Sequence, residues 1–325
     1  MDLSKYEIPV TEVTDVRIGQ TEDAKGGTGM TVIACENGMR AGLDVRGGGP
    51  ASRETQLLNP LMASEVVHAI VLSGGSAFGL GAANGVMQYM EEHEIGFPVG
   101  VTRVPLVVQS DIFDLTVGDS STRPTAEMGY EATKRAFEEP NYRDGNFGAG
   151  MGATVGKICG MDRCMKSGIG SFAVQIGDLK VGAIVVVNAL GDVVDYRTGA
   201  RVAGLLSEDK KHLDSTTEYM FGLNQINENK FAGNTTIGAV LTNAKFDKAH
   251  LCKIAGMAHD GYARSIAPVH TSADGDSIYA ISVGELKADQ DFVGIIGAEV
   301  MSEAILRAVK NTESAFGYPA AGDLA

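Results

Sequence analysis

The feature that most constrains this sequence is a small-residue loop, residues 232–234, that runs directly into an apolar segment from Ile237 to Leu241. Gly233 and Asn234 tolerate backbone conformations that most residues avoid. The continuous apolar run predicts a buried strand with Thr235 and Thr236 at its mouth. Such a junction can hold a hydroxyl group rigidly in a cleft, although a plain loop-to-strand junction has the same pattern.

Cleavage of the Asn234–Thr235 bond would give this junction a particular chemistry. Thr235 would then carry both a hydroxyl group and a free α-amine. Because an α-amine titrates near neutral pH, it can act as the general base for its own hydroxyl. This N-terminal-nucleophile arrangement needs no His or Asp partner. On the local sequence alone, this arrangement and a plain loop-to-strand junction both stay open.

Composition and charge exclude several classes of function. The 325-residue chain has 44% apolar and 21% charged residues, which is ordinary for a globular enzyme. Its net charge of −14 leaves no phosphate-neutralising patch, so we predict no nucleic-acid partner. No apolar run reaches membrane-spanning length, and the polar start lacks a signal-peptide core. We expect a cytoplasmic protein with no membrane partner.

Neither of two glycine-rich stretches has the spacing of a nucleotide-binding motif, and the sequence lacks a common metal-binding spacing. The stretch from Gly148 to Lys157 fails the phosphate-loop spacing, because Met151 stands where the first glycine belongs and Ile158 replaces Ser or Thr. The turn at Gly74-Gly75 follows a predicted strand but has no dinucleotide fingerprint. The sequence contains no H-E-x-x-H spacing. We predict no cofactor and no catalytic metal.

The periodicity of apolar residues predicts strands and helices mixed along the whole chain, which indicates an α/β fold. An Asn37-Gly38 turn is predicted to join two strands in a hairpin. The four cysteines are scattered and are predicted to be buried free thiols. The predicted strands are 31–35, 39–45, 66–72, 167–176, 180–188, 237–241 and 277–283, and the predicted helices are 77–92, 128–138, 248–265 and 289–311.

Several sequence blocks resemble the P1/DmpA family of aminopeptidases, peptidase family S58, which includes β-peptidyl aminopeptidases and the nylon-oligomer hydrolase. Asn-Thr-Thr-Ile-Gly, followed by Thr242-Asn243-Ala244, is similar to the family's self-cleavage site. The other matching blocks, in family order, are 44–50, 71–80, 96–101, 148–157 and 270–276. The resemblance implies an α-β-β-α sandwich of the DmpA/ornithine-acetyltransferase type. It also implies that one catalytic domain, residues 1–325, is cut into pieces 1–234 and 235–325 that stay folded around a shared core.

The resemblance also implies roles for individual residues. Thr235 matches the nucleophile and Lys157 an active-site lysine. Asn188 ends an all-apolar strand, so its buried amide must find partners; they are either structural or the oxyanion of the reaction, and the family match favours the oxyanion. Asp274 and Asp276 flank one glycine and would orient the ammonium form of the Thr235 amine.

The predicted substrate-binding residues are Gly74, Gly75 and Phe113. The glycine turn lies near the active site in the family, where its backbone N–H groups would face a developing oxyanion. Relatives carry an aromatic residue, sometimes Tyr, at the position of Phe113, which lacks the hydroxyl group. Any role that needs that donor is therefore not expected here.

The resemblance implies an aminopeptidase that acts on small peptides or amino-acid amides and assembles as a homo-oligomer, a tetramer of cleaved protomers. Three alternatives stay open from the sequence. One is an amidase of the nylon-oligomer type, which cleaves oligomers of ω-amino acids. Another is an acyl transferase similar to ornithine acetyltransferase, and the third is an uncleaved binding protein on the same scaffold.

Overall fold

The computed structural model describes residues 3–223 and 233–324, so Ala232 of the predicted loop lies outside the described residues. The helices are α1 Ala83–Glu92, α2 Ala126–Glu138, α3 Thr216–Gly222, α4 Lys248–Ser265 and α5 Gln290–Lys310. The strands are β1 Glu7–Ile8, β2 Arg17–Asp23, β3 Thr28–Val45, β4 Ala51–Arg53, β5 Val67–Ser73, β6 Phe97–Pro98, β7 Arg103–Val104, β8 Val107–Asp111, β9 Thr154–Val155, β10 Met165–Lys166, β11 Ile169–Ile176, β12 Leu179–Asn188, β13 Asp192–Val194, β14 Arg201–Ala203, β15 Thr235–Ala244, β16 Ile266–Ala267 and β17 Ser277–Leu286.

One long strand connects the two halves of the main sheet, whose order is β1-β11-β12-β15-β17-β3-β5-β8-β4, with β2 also paired to β3. Residues 40–45 of β3 pair with β17 in one half. Residues 28–34 pair with β2 in the other half, and residues 30–34 and Met39 pair with β5. The pairing register shifts between Ala34 and Met39, where the strand passes from one half to the other.

Apolar side chains from both halves meet in a shared core. Ile33 and Leu72 from one half pack in the same buried cluster as Ile184, Ile237 and Ile281 from the other. Because side chains alternate across a strand, each half also has an outer apolar face that must be covered. Helices α4 and α5 cover the outer face of the β12–β15–β17 half, and α1 and α2 cover the other. The predicted α-β-β-α layer order is confirmed.

The predicted hairpin at Asn37-Gly38 is wrong, because β3 runs unbroken through both residues. Gly38 adopts a left-handed φ of 78°, which is the conformation that a turn signal of this kind supplies. Here the signal produces an irregularity within one strand. The two ends of β3 pair with different neighbours, so a bend without a reversal of direction satisfies both ladders.

The other elements lie close to their predicted positions. The predicted helix from 77 to 92 divides into a 3₁₀ helix, Ser76–Ala82, followed by α1. The side chain of Asp247 accepts from the N–H of His250 and caps α4. Among the cysteines, all four are free, but only Cys35 and Cys164 are fully buried. None of the described helices combines the length and apolar character that crossing a bilayer requires.

Candidate active site

The start of β15 places Thr235 beside the end of β12. In the antiparallel β12–β15 pair, Thr235 lies opposite Asn188. On its other side, β15 runs parallel to β17, with Ile237 opposite Ser277. The residues just before β17 therefore also reach this edge of the sheet. Thr235 and Asn188 are both buried, so polar groups that meet here must bond to one another.

Two groups contact the carbonyl oxygen of Asn234. The Oγ1 atom of Thr235 donates a hydrogen bond to it. The backbone N–H of Gly275 donates to the same oxygen at 3.1 Å. A side chain at Gly275 would place its Cβ 2.8 Å from Thr235 Oγ1, so glycine is what allows both contacts. The carbonyl that self-cleavage would attack is thus polarised by an N–H donor and lies beside the hydroxyl group.

The Nζ atom of Lys157 has three hydrogen-bond acceptors. Its Nζ atom donates to the backbone oxygen of Asn188 at 3.0 Å, to Asn188 Oδ1 at 2.9 Å and to the carbonyl of Gly233 at 3.0 Å. Three acceptors match the three hydrogens of an ammonium group. Burial lowers the pKa of Lys157 to about 7, although nearby carboxylates, among them Asp274, oppose the shift. Lys157 therefore gives up its proton more readily than an exposed lysine does.

The side chain of Asn188 is bonded at both ends. Its Oδ1 atom accepts from the N–H of Thr154 at 3.1 Å as well as from Lys157. Its Nδ2 atom donates to the backbone carbonyl of Phe113 at 2.9 Å. An amide nitrogen carries two hydrogens, and the second is the one that the predicted oxyanion role would use. That role stays a prediction.

Asp274 and Asp276 are held by different donors. Asp276 Oδ1 accepts from the N–H of Thr236 at 2.7 Å. Asp274 Oδ2 accepts from the N–H and Oγ1 of Thr271, at 2.7 and 2.6 Å. Burial raises the pKa of Asp274, and the charge of Asp276 raises it further. Both carboxylates are fixed in place within the intact chain.

The glycine run before Pro50 packs against these two acids. A Cβ at Gly47 would lie 2.3 Å from the backbone nitrogen of Asp276. The N–H of Gly49 donates to the backbone oxygen of Asp274 at 2.8 Å. The run is therefore a close backbone contact beside the site rather than a free turn.

The N–H groups of the glycine turn at the end of β5 are bonded within the fold. The N–H of Gly74 donates to the carbonyl of Gly29 at 2.9 Å, and the N–H of Gly75 donates to Asp114 Oδ1 at 2.7 Å. These bonds occupy both N–H groups in the intact chain, so neither is free for an oxyanion there. The turn instead holds the side chain of Asp114 in place. The backbone carbonyl of the preceding residue, Phe113, accepts a hydrogen bond from Asn188 Nδ2. The predicted contact of Gly74 and Gly75 with substrate stays a prediction.

The ring of Phe113 lies against Gly233. A Cβ at Gly233 would lie 2.7 Å from Phe113 Cδ1, and Gly233 itself has a left-handed φ of 109°. Phe113 thus closes the space beside the residue that precedes Asn234. Its predicted contact with substrate stays a prediction.

Three hydrogen bonds of this site were not predicted from the sequence. The N–H of Thr154 donates to Asn188 Oδ1, the N–H of Gly275 donates to the carbonyl oxygen of Asn234, and Nδ1 of His270 bonds Asp276 Oδ2. The last two lie in the block 270–276 that was singled out, where a glycine between two acids was the available signal. Thr154 lies in the matching block 148–157, but nothing in that block indicated a contact between Thr154 and Asn188. No group of three or more His, Cys, Asp or Glu side chains suited to a metal occurs in residues 3–223 and 233–324.

Comparison with known proteins shows the family of this chain. Residues 9–319 match the profile of peptidase family S58. The chain belongs to peptidase family S58. An uncharacterised aminopeptidase of Mycobacterium leprae is 36% identical over 340 residues, covering 95% of this chain and 92% of that protein. A 6-aminohexanoate-oligomer endohydrolase of Kocuria sp. is 31% identical over 312 residues, covering 91% and 84%.

Solved structures share the fold of this S58 protein. The L-aminopeptidase D-Ala-esterase/amidase of Ochrobactrum anthropi, described as a variant of the Ntn hydrolase fold, superposes with a TM-score of 0.70 at 16% identity, covering 95% of this chain and 88% of that one. A Burkholderia sp. β-aminopeptidase superposes with a TM-score of 0.64 at 18% identity, covering 94% and 88%. Family membership confirms the predicted class of enzyme, a hydrolase of the aminopeptidase type.

Proposed function

We propose that this chain cuts itself between Asn234 and Thr235 and that Thr235 then hydrolyses amide bonds of small substrates that carry a free amino group. One observation carries the proposal. The hydroxyl group of Thr235 contacts the Asn234 carbonyl oxygen, which also accepts the N–H of Gly275. Nucleophile, carbonyl and oxyanion donor therefore meet in one buried place.

The self-cleavage is an acyl shift followed by hydrolysis. Thr235 Oγ bonds to the carbonyl carbon of Asn234 while its proton passes to the Thr235 nitrogen, and the C–N bond breaks to leave an ester. Gly275 stabilises the oxyanion that forms between these steps. Water then cleaves the ester, which gives a carboxylate on Asn234 and restores the Thr235 hydroxyl group beside a free α-amine.

Turnover repeats the same steps on a substrate amide. Thr235 Oγ attacks the substrate carbonyl, and the α-amine takes the hydroxyl proton and gives it to the leaving amine. Asn188 and Gly275 would hold the oxyanion, while Lys157, Asp274 and Asp276 set the charge around the amine. Water finally releases the acyl group from Thr235.

The charge of the protein favours substrates with a free amine. The net charge is −14, and the site places Asp274 and Asp276 against the single Lys157. A negative cleft attracts an ammonium group and repels carboxylates. The same charge disfavours the acetyltransferase alternative, whose donor and acceptor both carry an α-carboxylate.

One observation favours a second candidate, an internal amidase of the nylon-oligomer type. The carbonyl group that Thr235 would attack belongs to Asn234, and the residue before it is Gly233. In the intact chain, the carbonyl oxygen of Gly233 accepts a hydrogen bond from Lys157 Nζ. A substrate with another amide at that position would find the same donor. Because the Phe113 ring excludes a side chain at Gly233, such a substrate would need unbranched units. An S58 relative from Paenarthrobacter ureafaciens is named 6-aminohexanoate-oligomer endohydrolase.

A pair of substrates decides between the two candidates. We expect an amino-acid p-nitroanilide to release p-nitroaniline, and its N-acetylated form to be inert because the ammonium group is lost. Equal rates for the two substrates would contradict the aminopeptidase and favour the internal amidase. Acetyl transfer from acetylornithine to glutamate, without amide hydrolysis, would instead favour the transferase.

For the oligomeric state, we propose a tetramer of cleaved protomers. Support comes from the family likeness and from exposed apolar side chains on the β6–β7 hairpin, where Phe97 is 55% exposed and Val101 is 94% exposed. Light scattering coupled to gel filtration measures the mass of the particle directly. A mass of one protomer would contradict the tetramer.

A further inference from the structure

Asp276 has a second partner that the sequence did not indicate, His270. The Nδ1 atom of His270 lies 2.8 Å from Asp276 Oδ2. The backbone N–H of His270 donates to the same oxygen at 3.1 Å. On its other oxygen, Asp276 accepts the N–H of Thr236 at 2.7 Å. One carboxylate therefore links His270 to the residue that follows the nucleophile.

The backbone of His270 is bent to make this double contact. His270 has a left-handed φ of 60°, a conformation that residues other than glycine seldom adopt. This conformation turns its N–H and its ring toward one oxygen atom. The next residue, Thr271, holds Asp274 in a similar way, through its own N–H and side chain. Two consecutive residues thus fix the two acids of the site.

The surroundings of the ring fix its tautomer. Asp276 offers only acceptor oxygens, so Nδ1 of His270 carries the hydrogen. The Nε2 atom of His270 is buried with no partner among the described residues. The ring packs edge-to-face against His259, with centroids 4.8 Å apart, and it stacks on Tyr262, with centroids 6.0 Å apart. His259 donates from Nε2 to the backbone oxygen of Asp44 at 3.1 Å, so the two histidines take opposite tautomers.

We infer that His270 is a positioning residue for this enzyme: it holds Asp276 in the orientation that fixes the Thr236 N–H and keeps a carboxylate beside the Thr235 amine. The inference rests on the proposed function for its effect on turnover. Its geometric part, the Nδ1–H bond to Asp276, stands independently of any substrate.

Two variants separate the side chain from the strained backbone. His270→Gly adopts the left-handed conformation at no cost and keeps the backbone N–H, but it removes the ring. His270→Asn also tolerates that conformation and keeps a side-chain N–H donor. We expect His270→Gly to lower kcat at least tenfold with KM changed less than twofold. His270→Asn should recover half or more of that loss on a logarithmic scale.

A control variant and a double-mutant cycle complete the kinetic test. Glu94 is exposed and also has a left-handed φ, 58°, so Glu94→Gly should leave kcat unchanged. In an Asp276→Asn background, His270→Gly should add little further loss, because its partner is already gone. Equal kcat values for the Gly and Asn variants, or full additivity with Asp276→Asn, would overturn the inference.

A measurement without substrate distinguishes failure of this inference from failure of the proposed function. ¹⁵N NMR of histidine-labelled wild-type protein reports which ring nitrogen carries the hydrogen. We expect the Nδ1–H tautomer for His270 and the Nε2–H tautomer for His259, assigned by loss of signals in single variants. An Nε2–H tautomer at His270 overturns the inference whatever the enzyme hydrolyses, whereas an Nδ1–H tautomer in a protein with no amidase activity overturns only the proposed function.

Discussion

The backbone N–H of Gly275 donates a hydrogen bond to the carbonyl oxygen of Asn234 at 3.1 Å. The oxygen it contacts belongs to the peptide that Thr235 would attack. This pairing accompanies a parallel bridge between Asn234 and Asp274, which keeps the register of the β15–β17 pair and lies one residue before β15 and three residues before β17. The sheet itself therefore supplies a donor to the proposed cleavage site.

Gly275→Ala should slow self-cleavage. Its Cβ would lie 2.8 Å from Thr235 Oγ1 and 3.1 Å from the backbone oxygen of Gly49, so the hydroxyl group must move from the carbonyl. We expect the half-time of cleavage to lengthen about tenfold or more, which corresponds to ~1.4 kcal/mol. Gel electrophoresis over time measures it. Gly81→Ala is the control, because a Cβ there meets nothing within 4 Å; equal effects of the two variants would contradict the prediction.

Thr235→Ala should remain one chain and show no hydrolysis, because cleavage and catalysis lose the same hydroxyl group. Thr236→Ala should keep part of both activities. Its backbone N–H still bonds Asp276, and its hydroxyl group has no partner among the described residues. Intact mass and N-terminal sequencing of the smaller piece test both variants. If cleavage and hydrolysis required Thr236 and not Thr235, the nucleophile would be Thr236.

Asn188→Ala should lower kcat by roughly two to three powers of ten if its amide donates to the oxyanion. The variant also removes an acceptor of Lys157, so slow maturation could imitate a catalytic defect. Only fully cut protein is therefore compared. Asn243→Ala, at the other end of β15, is the control. An unchanged kcat in matured Asn188→Ala would remove Asn188 from the site.

Lys157 should make stability depend on pH in the uncut Thr235→Ala protein. Its pKa falls from 10.5 to about 7 on folding, so the unfolded state holds one more proton between these values. The stability of the protein with Lys157, relative to its Lys157→Met variant, should therefore rise with pH by up to ~1.4 kcal/mol per unit above pH 7. Below pH 7 the difference should stay constant.

Urea denaturation of both proteins at pH 6, 7.5 and 9 measures this difference. Lys166, a second buried lysine whose pKa is lowered to about 7, is present in both proteins, so its contribution cancels. A difference in stability that does not change between pH 7.5 and pH 9 would show that Lys157 keeps its ordinary pKa.

Local sequence signals were sufficient for most elements and insufficient where distant strands meet. The apolar run before Asn188 predicted β12, and the apolar periodicity of residues 248–265 predicted α4. The hairpin at Asn37-Gly38 failed because a turn signal specifies local backbone geometry but not the strands that pair on either side of it. The same reason explains why the contact of Gly275 with Asn234 could not be read from spacing, since it depends on the register between β15 and β17.

The candidate site residues were predicted from the family resemblance, and their hydrogen-bond partners were not. Lys157 was singled out, but its bond to Gly233 requires β12 and the loop before β15 to converge on one nitrogen. Gly74 and Gly75 were assigned N–H groups that the fold uses for Gly29 and Asp114. Backbone donors are the hardest to predict, because every residue other than proline has one and only tertiary structure decides where it points.

The place of β15 and β17 in the sheet has a kinetic consequence for the cut protein. Both strands belong to piece 235–325, yet they lie between β12 and β3, which belong to piece 1–234. Before cleavage, closing this sheet is a first-order event within one chain. After cleavage it requires two molecules to meet, so recovery from denaturation should become second order and slow on dilution. Self-cleavage would thus turn a protein that refolds on its own into one whose native state, once lost, returns at a rate set by concentration.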